Sequence, residues 1–266
     1  MKIRCFKHQG PLNRIERVCL RSFAVHHGEV ELLTYCPQEN LPEGVRAVDA
    51  NEIVPQSSEL FRRNSQAGIA AMIRWKTLLE HGGCFISTDV LCIRPFDFDQ
   101  PVVFGRKSDI DWCPWGLSVL ITPPAHPLPR FMLNRCLQPH FPVAGEKLRH
   151  RWKKAFRRRF THNLKPIRSW MVGDEGGFQV AIRTLEMENL ALPIPVFYPI
   201  HEARWRSPYD ETFRDDWPML DSTRAVYLNS FEAKRNRFDF EAPFVPGSLL
   251  DYYQRQYFGG YSKVAA

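Results

Sequence analysis

The sequence lacks the features that mark a membrane-spanning, disulfide-stabilised or zinc-binding protein. No apolar run approaches the roughly 20 residues that a transmembrane helix requires, and the amino-terminal segment has no sustained apolar stretch of the kind that a secretory signal contains. The seven cysteines are an odd number and include no Cys-x-x-Cys pair, which argues against a disulfide framework or a zinc site. We therefore expect a cytoplasmic protein whose thiols are free and buried.

Acidic residues are absent from one stretch of the chain. Residues 147–168 hold ten Lys or Arg and no Asp or Glu, so the net charge of +7 comes from this stretch and the remainder is slightly acidic. The composition is otherwise that of an ordinary globular protein, with 44% hydrophobic residues and neither an internal repeat nor a low-complexity linker. We interpret 1–266 as one domain, within which 145–168 is a basic amphipathic insertion.

Hydrophobic periodicity predicts an α/β fold. Short apolar runs predict strands at 3–6, 31–35, 45–49, 84–86, 90–93, 102–105, 117–122, 194–198 and 225–228. Helical spacing of apolar residues predicts helices at 12–27, 60–80, 128–136, 147–160, 176–188 and 248–257. Because a strand, a helix and a second strand open the chain, we expect a Rossmann-like, mostly parallel sheet flanked by helices.

One carboxylate stands directly after a short apolar strand. Asp89 follows the predicted strand at 84–86, and a carboxylate at the carboxyl end of a parallel strand lies near the crevice where α/β proteins bind ligands. There it could hold Mn²⁺ or Mg²⁺, which prefer oxygen ligands and stabilise the charge of a leaving nucleoside diphosphate. Ser87 and Thr88 could add hydroxyls to the metal's water shell or to the sugar. The alternative is that Asp89 only caps a turn.

The segment around this carboxylate resembles a known family. Residues 74–95 read Arg-Trp-Lys-x-x-Leu-x-x-x-Gly-Cys-Phe-x-x-x-Asp-Val-x-x-x-Arg-Pro, which is similar to the core of the DXD-type sugar-transferase family. This family includes bacterial capsule and lipopolysaccharide hexosyltransferases, yeast mannosyltransferases and the glucosylating clostridial toxins. Weaker similarity at 22–55, 197–200, 225–228 and 246–248 extends the resemblance over most of the chain. It implies an A-type glycosyltransferase fold, a nucleotide-sugar donor, a divalent metal and retention at the anomeric carbon.

The chain departs from the family pattern at polar positions. Ser87 stands where the family has the first acid of its metal motif, and Ala71 stands where an Asp commonly binds the donor sugar. Tyr227 and Asn229 occupy the His and Trp positions of a late Ala-x-His-x-Trp segment. These departures leave open a transferase with a weakened metal site, a transferase with an altered donor, and a catalytically inactive relative.

Several residues are candidates for binding the donor. The guanidinium fork of Arg74 could bind a phosphate or a sugar hydroxyl, although it could equally form a salt bridge on a solvated helix face. Phe6 could stack on the nucleotide base, although aromatic residues at such positions more often belong to the core. The resemblance adds Tyr227 and Ser248 to the donor-binding residues, together with Ser87, Thr88 and Asp89.

Two further acidic strings could contribute to the site. Asp174 and Glu175 lie between glycines before a predicted helix, and a loop carboxylate there could act near the reacting centre as a catalytic group. The alternative is that Asp174 caps the helix while Glu175 interacts with its positive end. We interpret a second acid-x-acid string, Asp109 to Asp111, as an ordinary polar loop, or as a contact for the acceptor.

The basic segment predicts an unusual helix. Trp152, Phe156 and Phe160 recur at intervals of four residues among cations, which is typical of a helix that lies in a membrane interface. An anionic membrane surface would attract residues 147–160, and this would suit a lipid-linked acceptor. The alternatives are a packed helix with a solvated cationic face and nucleic-acid binding, for which no recognition motif is present.

Together these patterns predict a glycosyltransferase that transfers a hexose from a nucleotide-diphospho-sugar to a glycan or lipid-linked acceptor, with retention. The other interpretation is an inactive protein of the same fold that binds a glycan or an anionic membrane surface. Either protein would be cytoplasmic, or peripheral at the inner face of the cell membrane.

Overall fold

The computed structural model describes residues 1–142, 147–161, 173–210 and 219–259. In chain order the strands are β1 (Ile3–Lys7), β2 (Val30–Thr34), β3 (Val45–Asp49), β4 (Gly83–Ile86), β5 (Val90–Cys92), β6 (Val119–Thr122) and β7 (Ala225–Tyr227). The α-helices are α1 (Arg14–His27), α2 (Glu59–Arg62), α3 (Gln66–His81), α4 (Pro127–Leu137), α5 (Leu148–Phe160), α6 (Glu175–Thr184), α7 (Ser207–Asp210), α8 (Ser230–Arg235) and α9 (Leu249–Phe258).

The main sheet has five strands in the order β3-β2-β1-β4-β6. The first four are mutually parallel, and β6 pairs antiparallel with β4. From β1, the chain continues to β2 and β3 on one side and to β4 on the other, so the strand order reverses between β1 and β4. Ligands of open α/β sheets bind outside the carboxyl ends of the strands at such a reversal. A second sheet pairs β5 with β7 antiparallel.

Helices cover both faces of the main sheet, as the sequence predicts. Leu33, Phe85 and Leu120 face a core shared with α3, α4 and α6. The alternate residues, among them Leu32 and Cys84, face a second core beneath α1. The alternation follows because successive side chains of a strand point to opposite faces. The predicted α/β class with a mostly parallel sheet flanked by helices is therefore confirmed.

Local sequence signals explain where the helices begin and end. Asn13 and Glu16 form a reciprocal capping box at the start of α1, each side chain accepting the other residue's backbone N–H at 2.9 Å. Helix α3 ends at Gly82, which has a φ of +59° and lies so close to Pro124 that a Cβ would be 2.5 Å from the proline nitrogen. Glycine is the residue that meets both requirements, and it allows β4 to start directly after the helix.

One predicted strand is wrong. Residues 194–198 were expected to be extended, but Ile194–Val196 is a single 3-10 turn. Pro193 and Pro195 explain the difference, because proline has no N–H to donate to a neighbouring strand. The predicted strand at 102–105 forms only isolated bridges, such as the one between Val103 and Ile121.

Within the ranges that the structure describes, every helix is too short or too polar to cross a lipid bilayer.

A row of charges crosses three strands of the main sheet. Arg4 of β1, Glu31 of β2 and Arg46 of β3 are directly paired in register. Arg4 Nε donates to Glu31 at 2.7 Å, Arg46 donates to the same carboxylate at 2.7 Å, and Lys2 donates at 3.2 Å. Burial raises the pKa of Glu31, but the hydrogen bonds from Arg4 and Lys2 more than offset this, so its pKa lies below its usual value.

We expect Glu31→Gln to lower the free energy of unfolding at pH 7 by about 2 kcal/mol, because it leaves the buried Arg4 without its counter-charge. The depressed pKa of Glu31 means that its contribution is complete above the unfolded-state pKa of about 4.3 and is lost as the pH falls through the lower folded-state value. Urea unfolding of both proteins at pH 7 and near pH 3 measures this. Glu29→Gln, which removes a more exposed partner of Arg46, is the control. A difference in unfolding free energy between the wild type and Glu31→Gln that is as large near pH 3 as at pH 7 would contradict this role of Glu31.

Candidate functional site

A cavity of about 510 Å³ lies beyond the carboxyl end of β4, on the side where the strand order reverses. This volume is within the range of small-molecule sites. We call it the main cavity. Its lining includes Arg74, Ser87, Lys107, Trp112, Cys113, Ser118, Asp174, Glu175, Tyr198, His201, Glu202, Trp205, Tyr227, Asn229, Phe231 and Glu232. Five of the predicted site residues are among them, namely Arg74, Ser87, Asp174, Glu175 and Tyr227.

Arg74 is the residue of the main cavity whose hydrogen-bonding capacity is most clearly unsatisfied. It projects from α3, and its guanidinium lies over the ring of Phe85, 5.8 Å from the ring centroid. Its Nε is buried and has no hydrogen-bond partner in the described part of the chain. Burial lowers the pKa of Arg74, and the nearby Asp174 carboxylate opposes that effect. A buried donor without an acceptor is costly, so an anionic or hydroxyl-bearing ligand would satisfy it.

The predicted acidic pair lies at the start of α6, beside Arg74. Asp174 precedes the helix but forms no side-chain capping hydrogen bond, so its carboxylate is directed to the cavity and not to the helix end. Burial raises the pKa of Asp174, although Arg74 partly offsets the rise. Glu175 forms an ion pair with Lys107, a residue that the sequence patterns did not indicate. Glu175 is therefore held in an ion pair, whereas Asp174 interacts with Arg74 only through its charge.

A close backbone contact brings α6 to α3. The indole Nε1 of Trp75 donates to the carbonyl oxygen of Gly173 at 2.9 Å, and the Trp75 ring stacks on Phe178 of α6. A Cβ at position 173 would lie 2.4 Å from the Cβ of Ala71 and 3.0 Å from the sulfur of Cys136. Ala71, at 2% exposure, is thus a packing surface for Gly173. The small side chains at positions 71 and 173 thus allow the turn that carries Asp174 to approach α3 closely.

We expect Gly173→Ala to cost about 1–3 kcal/mol of stability, because the added methyl group overpacks the contact. Ala71→Gly removes the opposing methyl group and costs about 1 kcal/mol of helix propensity. In the double variant the two effects should be less than additive, since the second change relieves the collision that the first creates.

A double-mutant cycle of urea unfolding tests this coupling between positions 71 and 173. Ala70→Gly is the matched control, because it introduces the same helix glycine one residue away. The proposed contact is contradicted if the effects of Gly173→Ala and Ala71→Gly are strictly additive. It is also contradicted if Ala70→Gly offsets the loss from Gly173→Ala as well as Ala71→Gly does.

Asp89 does not line the main cavity. It is 7% exposed, and its Oδ2 accepts hydrogen bonds from the backbone N–H and the hydroxyl of Ser230, at 3.0 and 2.6 Å. Burial raises the pKa of Asp89, and the bonds from Ser230 partly offset the rise. The carboxylate therefore satisfies the first N–H of α8 and fastens that helix to the end of β4. Asp89 thus has the capping role that the sequence analysis gave as the alternative, but the residue that it binds is 141 positions away and not in a local turn.

The described residues do not fit a resident Mn²⁺ or Mg²⁺ ion. Such ions require oxygen ligands that converge on one point. One oxygen of Asp89 already accepts two hydrogen bonds, and Ser87 supplies a hydroxyl in place of an acid. No group of three or more His, Cys, Asp or Glu in the described ranges is arranged to hold a metal. The metal role of Asp89 stays a prediction, and no chemical step below depends on it.

Asp89→Ala and Ser230→Ala separate the two roles of the carboxylate. We expect each change to lower the free energy of unfolding by about 1–3 kcal/mol, because each leaves buried polar groups unpaired. Thermal melting with and without Mn²⁺ should show the same loss, since the ion has no preformed site. An Mn²⁺-dependent rise in Tm for the wild type and Ser230→Ala, absent in Asp89→Ala, would instead establish the metal role.

The remaining predicted donor residues lie outside the main cavity. The Thr88 hydroxyl donates to Glu16 of α1 at 3.1 Å. Ser248 is fully buried and caps α9 by accepting from the N–H of Asp251. The Thr88 contact links the loop after β4 to α1, the Ser248 contact stabilises the start of α9, and neither side chain lines the main cavity.

Phe6 lies below a second, smaller cavity of about 280 Å³, near the carboxyl ends of β1 and β2. Its ring packs edge-on against His8 and Tyr35, which line this cavity together with Phe61. We call it the aromatic cavity. Phe6 supports these rings from beneath and is not itself part of the lining. A flat ligand would meet His8, Tyr35 and Phe61.

Several lining residues of the main cavity were not among the predicted site residues. Tyr198 accepts a hydrogen bond from the backbone N–H of Ser118 and packs so closely on Gly116 that a Cβ there would be 2.1 Å from its hydroxyl. His201, Glu202, Trp205, Phe231 and Glu232 come from loops and short helices far apart in the chain. Tyr198 lies in the segment 197–200 that resembles the family, and Trp112 follows the string Asp109 to Asp111, whose Asp109 carboxylate pairs with Arg106 on the surface.

Solved structures with some similarity to this chain are described as glycosyltransferases. PaToxG glycosyltransferase is 10% identical, with 69% of this chain and 68% of that chain covered and a TM-score of 0.41. The glycosyltransferase GlyE of Streptococcus pneumoniae TIGR4 is 12% identical in its apo form, with 96% and 59% covered and a TM-score of 0.46. A second GlyE structure is 9% identical, with 100% and 66% covered and a TM-score of 0.36.

The chain thus spans between 59% and 68% of these solved chains. At such TM-scores the similarity supports no further conclusion about this chain. No protein-family profile matches the sequence, and no curated protein does either.

Proposed function

We propose that this chain is a glycosyltransferase that transfers a hexose from a nucleotide-diphospho-sugar to a glycan or lipid-linked acceptor, with retention at the anomeric carbon. The observation that carries the proposal is Arg74. A guanidinium with a buried, unpartnered Nε lines a ligand-sized cavity at the reversal of strand order, beside the Asp174 carboxylate. Anionic oxygen atoms of a donor would complete its hydrogen bonding.

The two cavities suit the two ends of such a donor. Helix α3 contributes Ile69 to the aromatic cavity and Arg74 to the main cavity. Five residues separate them, which is about 7.5 Å along the helix axis. In the proposed arrangement the base lies against His8 and Tyr35, the diphosphate passes Arg74, and the sugar enters the main cavity. Stacking on aromatic rings tolerates more than one base, so the arrangement does not select between uracil and guanine.

The cations of the main cavity can stabilise the negative charge that develops on the leaving group during transfer. As the bond between the anomeric carbon and the diphosphate oxygen breaks, negative charge grows on the leaving group. Arg74 and Lys107 are held in a partly desolvated wall, where fixed charges act more strongly than in water. Asp174 would stabilise the positive charge on the sugar or accept the proton of the acceptor hydroxyl.

The open side of the cavity suits a carbohydrate acceptor. Trp112 and Phe231 are 65% and 69% exposed although they belong to the lining. Large exposed aromatic side chains are unusual on a protein surface. Their rings can cover the apolar face of a sugar, while carboxylates such as Glu202 and Glu232 can accept bonds from its hydroxyls.

A second candidate function is binding without turnover. Among the residues that the structure describes, the carboxylates lining the main cavity are those of Asp174, Glu175, Glu202 and Glu232, and they outnumber the full cations Arg74 and Lys107. An excess of acids weakens the attraction for a diphosphate and favours a neutral glycan. The two functions differ in one measurement, because only a transferase releases nucleoside diphosphate from a bound donor.

The decisive prediction concerns Arg74→Gln. Because hydrogen bonds to charged groups contribute about 1.5–3 kcal/mol, the variant should bind nucleoside diphosphates about 10- to 100-fold more weakly than the wild type. Arg130→Gln, on the exposed face of α4, is the matched control and should bind as the wild type does. Calorimetric titration with uridine and guanosine diphosphates and their sugars, with and without Mn²⁺, supplies the affinities.

Release of nucleoside diphosphate is measured on the same samples, with a mixture of oligosaccharides as acceptors. Turnover that Arg74→Gln and Asp174→Asn abolish supports the transferase. Glycan binding without nucleotide binding or turnover supports the second function. Equal nucleotide affinity for the wild type and Arg74→Gln contradicts the proposal.

A further inference from the structure

Helix α5 presents its apolar side to solvent. Trp152, Phe156 and Phe160 are 71%, 60% and 67% exposed, and the buried residue of this helix is Lys154. Lys154 Nζ donates to the carbonyl oxygen of Phe141 at 3.2 Å, on the side where α5 meets the end of α4. This is the reverse of the usual arrangement, in which an amphipathic helix of a globular protein buries its apolar side.

Helical geometry gives the angle between the aromatic residues of α5 and its buried residue, Lys154. At 3.6 residues per turn, Trp152, Phe156 and Phe160 form a stripe about 80° wide, and Lys154 lies about 160° around the axis from its centre at Phe156. The stripe therefore points away from the contact with the Phe141 carbonyl. The rings of Phe156 and Phe160 touch each other, with centroids 4.9 Å apart, so they form one continuous apolar surface.

The charged side chains of α5 itself are all of one sign. Helix α5 has no acidic residue, and it carries Arg149, Arg151, Lys153, Lys154, Arg157, Arg158 and Arg159. Arg159 lies over the Phe160 ring, 5.5 Å from its centroid, so cations reach the edge of the aromatic stripe itself. A second copy of α5 would place cations against cations, which disfavours self-association through this surface.

We propose that α5 docks on an anionic lipid membrane surface, with the stripe of Trp152, Phe156 and Phe160 inserted among the upper acyl chains and the flanking cations at the lipid phosphates. The 13 residues of α5 extend about 20 Å, too short to span a bilayer but suited to lying in its plane. An aromatic stripe bordered by cations matches the interface, where an apolar layer adjoins an anionic one. This inference concerns a surface separate from the main cavity and does not depend on the proposed transfer reaction.

Vesicle co-sedimentation of the full chain tests the docking. We expect about tenfold or stronger partitioning to vesicles of phosphatidylglycerol with phosphatidylcholine than to phosphatidylcholine alone, falling as salt screens the exposed cations. Phe156→Ala with Phe160→Ala should weaken binding about tenfold or more, because it removes the inserted area. Arg151→Gln with Lys153→Gln should weaken binding to a similar extent, because it removes positive charge. Arg62→Gln with Arg130→Gln removes two exposed cations from other helices and should bind as the wild type does.

Trp152 reports whether the stripe enters the lipid. Its emission should shift to shorter wavelength with anionic vesicles and be quenched by lipids brominated on the acyl chain, and Trp152→Phe should lose both signals. Circular dichroism and thermal melting of the same samples distinguish lost docking from lost folding. Wild-type binding by the Phe156→Ala, Phe160→Ala variant would overturn the proposal, as would unquenched Trp152. Tighter binding to single-stranded DNA than to vesicles, with the same dependence on the stripe, would also overturn it.

Discussion

The close packing of Gly173 against helix α3 is the contact on which the candidate site depends. It allows the turn before α6 to approach Ala71, and the bond from Trp75 to the Gly173 carbonyl fixes the distance. Asp174 is then the next residue, and it lies beside Arg74, one turn along α3 from Ala71. A carboxylate and a guanidinium that are 100 positions apart in the sequence thus share one wall. Burial acts on both, raising the pKa of Asp174 and lowering that of Arg74.

The site therefore differs from the pattern that the sequence resembles in where its acids are. On α3 the acid is replaced by Ala71, and a carboxylate returns to the cavity from α6. After β4, Ser87 stands where the resembled pattern has its first acid, and Asp89 holds α8 through Ser230. In this chain the carboxylate of Asp174 therefore meets Arg74, and that of Asp89 meets the start of α8. A carboxylate beside a fixed cation needs no metal to be stabilised.

The sequence predicted what depends on local periodicity and failed where contacts are distant. Val45–Asp49 is a strand that a short apolar run indicates, and its parallel pairing with β2 agrees with that prediction. Residues 194–198 have the same apolar character, but Pro193 and Pro195 remove the donors that a strand requires. Arg74 could be recognised because a family motif surrounds it. Lys107 could not, because its partner Glu175 is 68 positions away and nothing near Lys107 in the sequence indicates the pair.

The distribution of charge separates the two proposed activities physically. Acids are gathered in the main cavity and cations on α5, so one molecule presents a polar recess with mixed charge and a uniformly basic exterior helix. Exposed cations act over a Debye length of about 8 Å at physiological salt, whereas a half-buried group such as Arg74 is screened much less. Ionic strength therefore weakens a contact made by α5 before it weakens one made by Arg74. A single chain can in this way hold a ligand firmly while its attachment to a charged surface remains reversible.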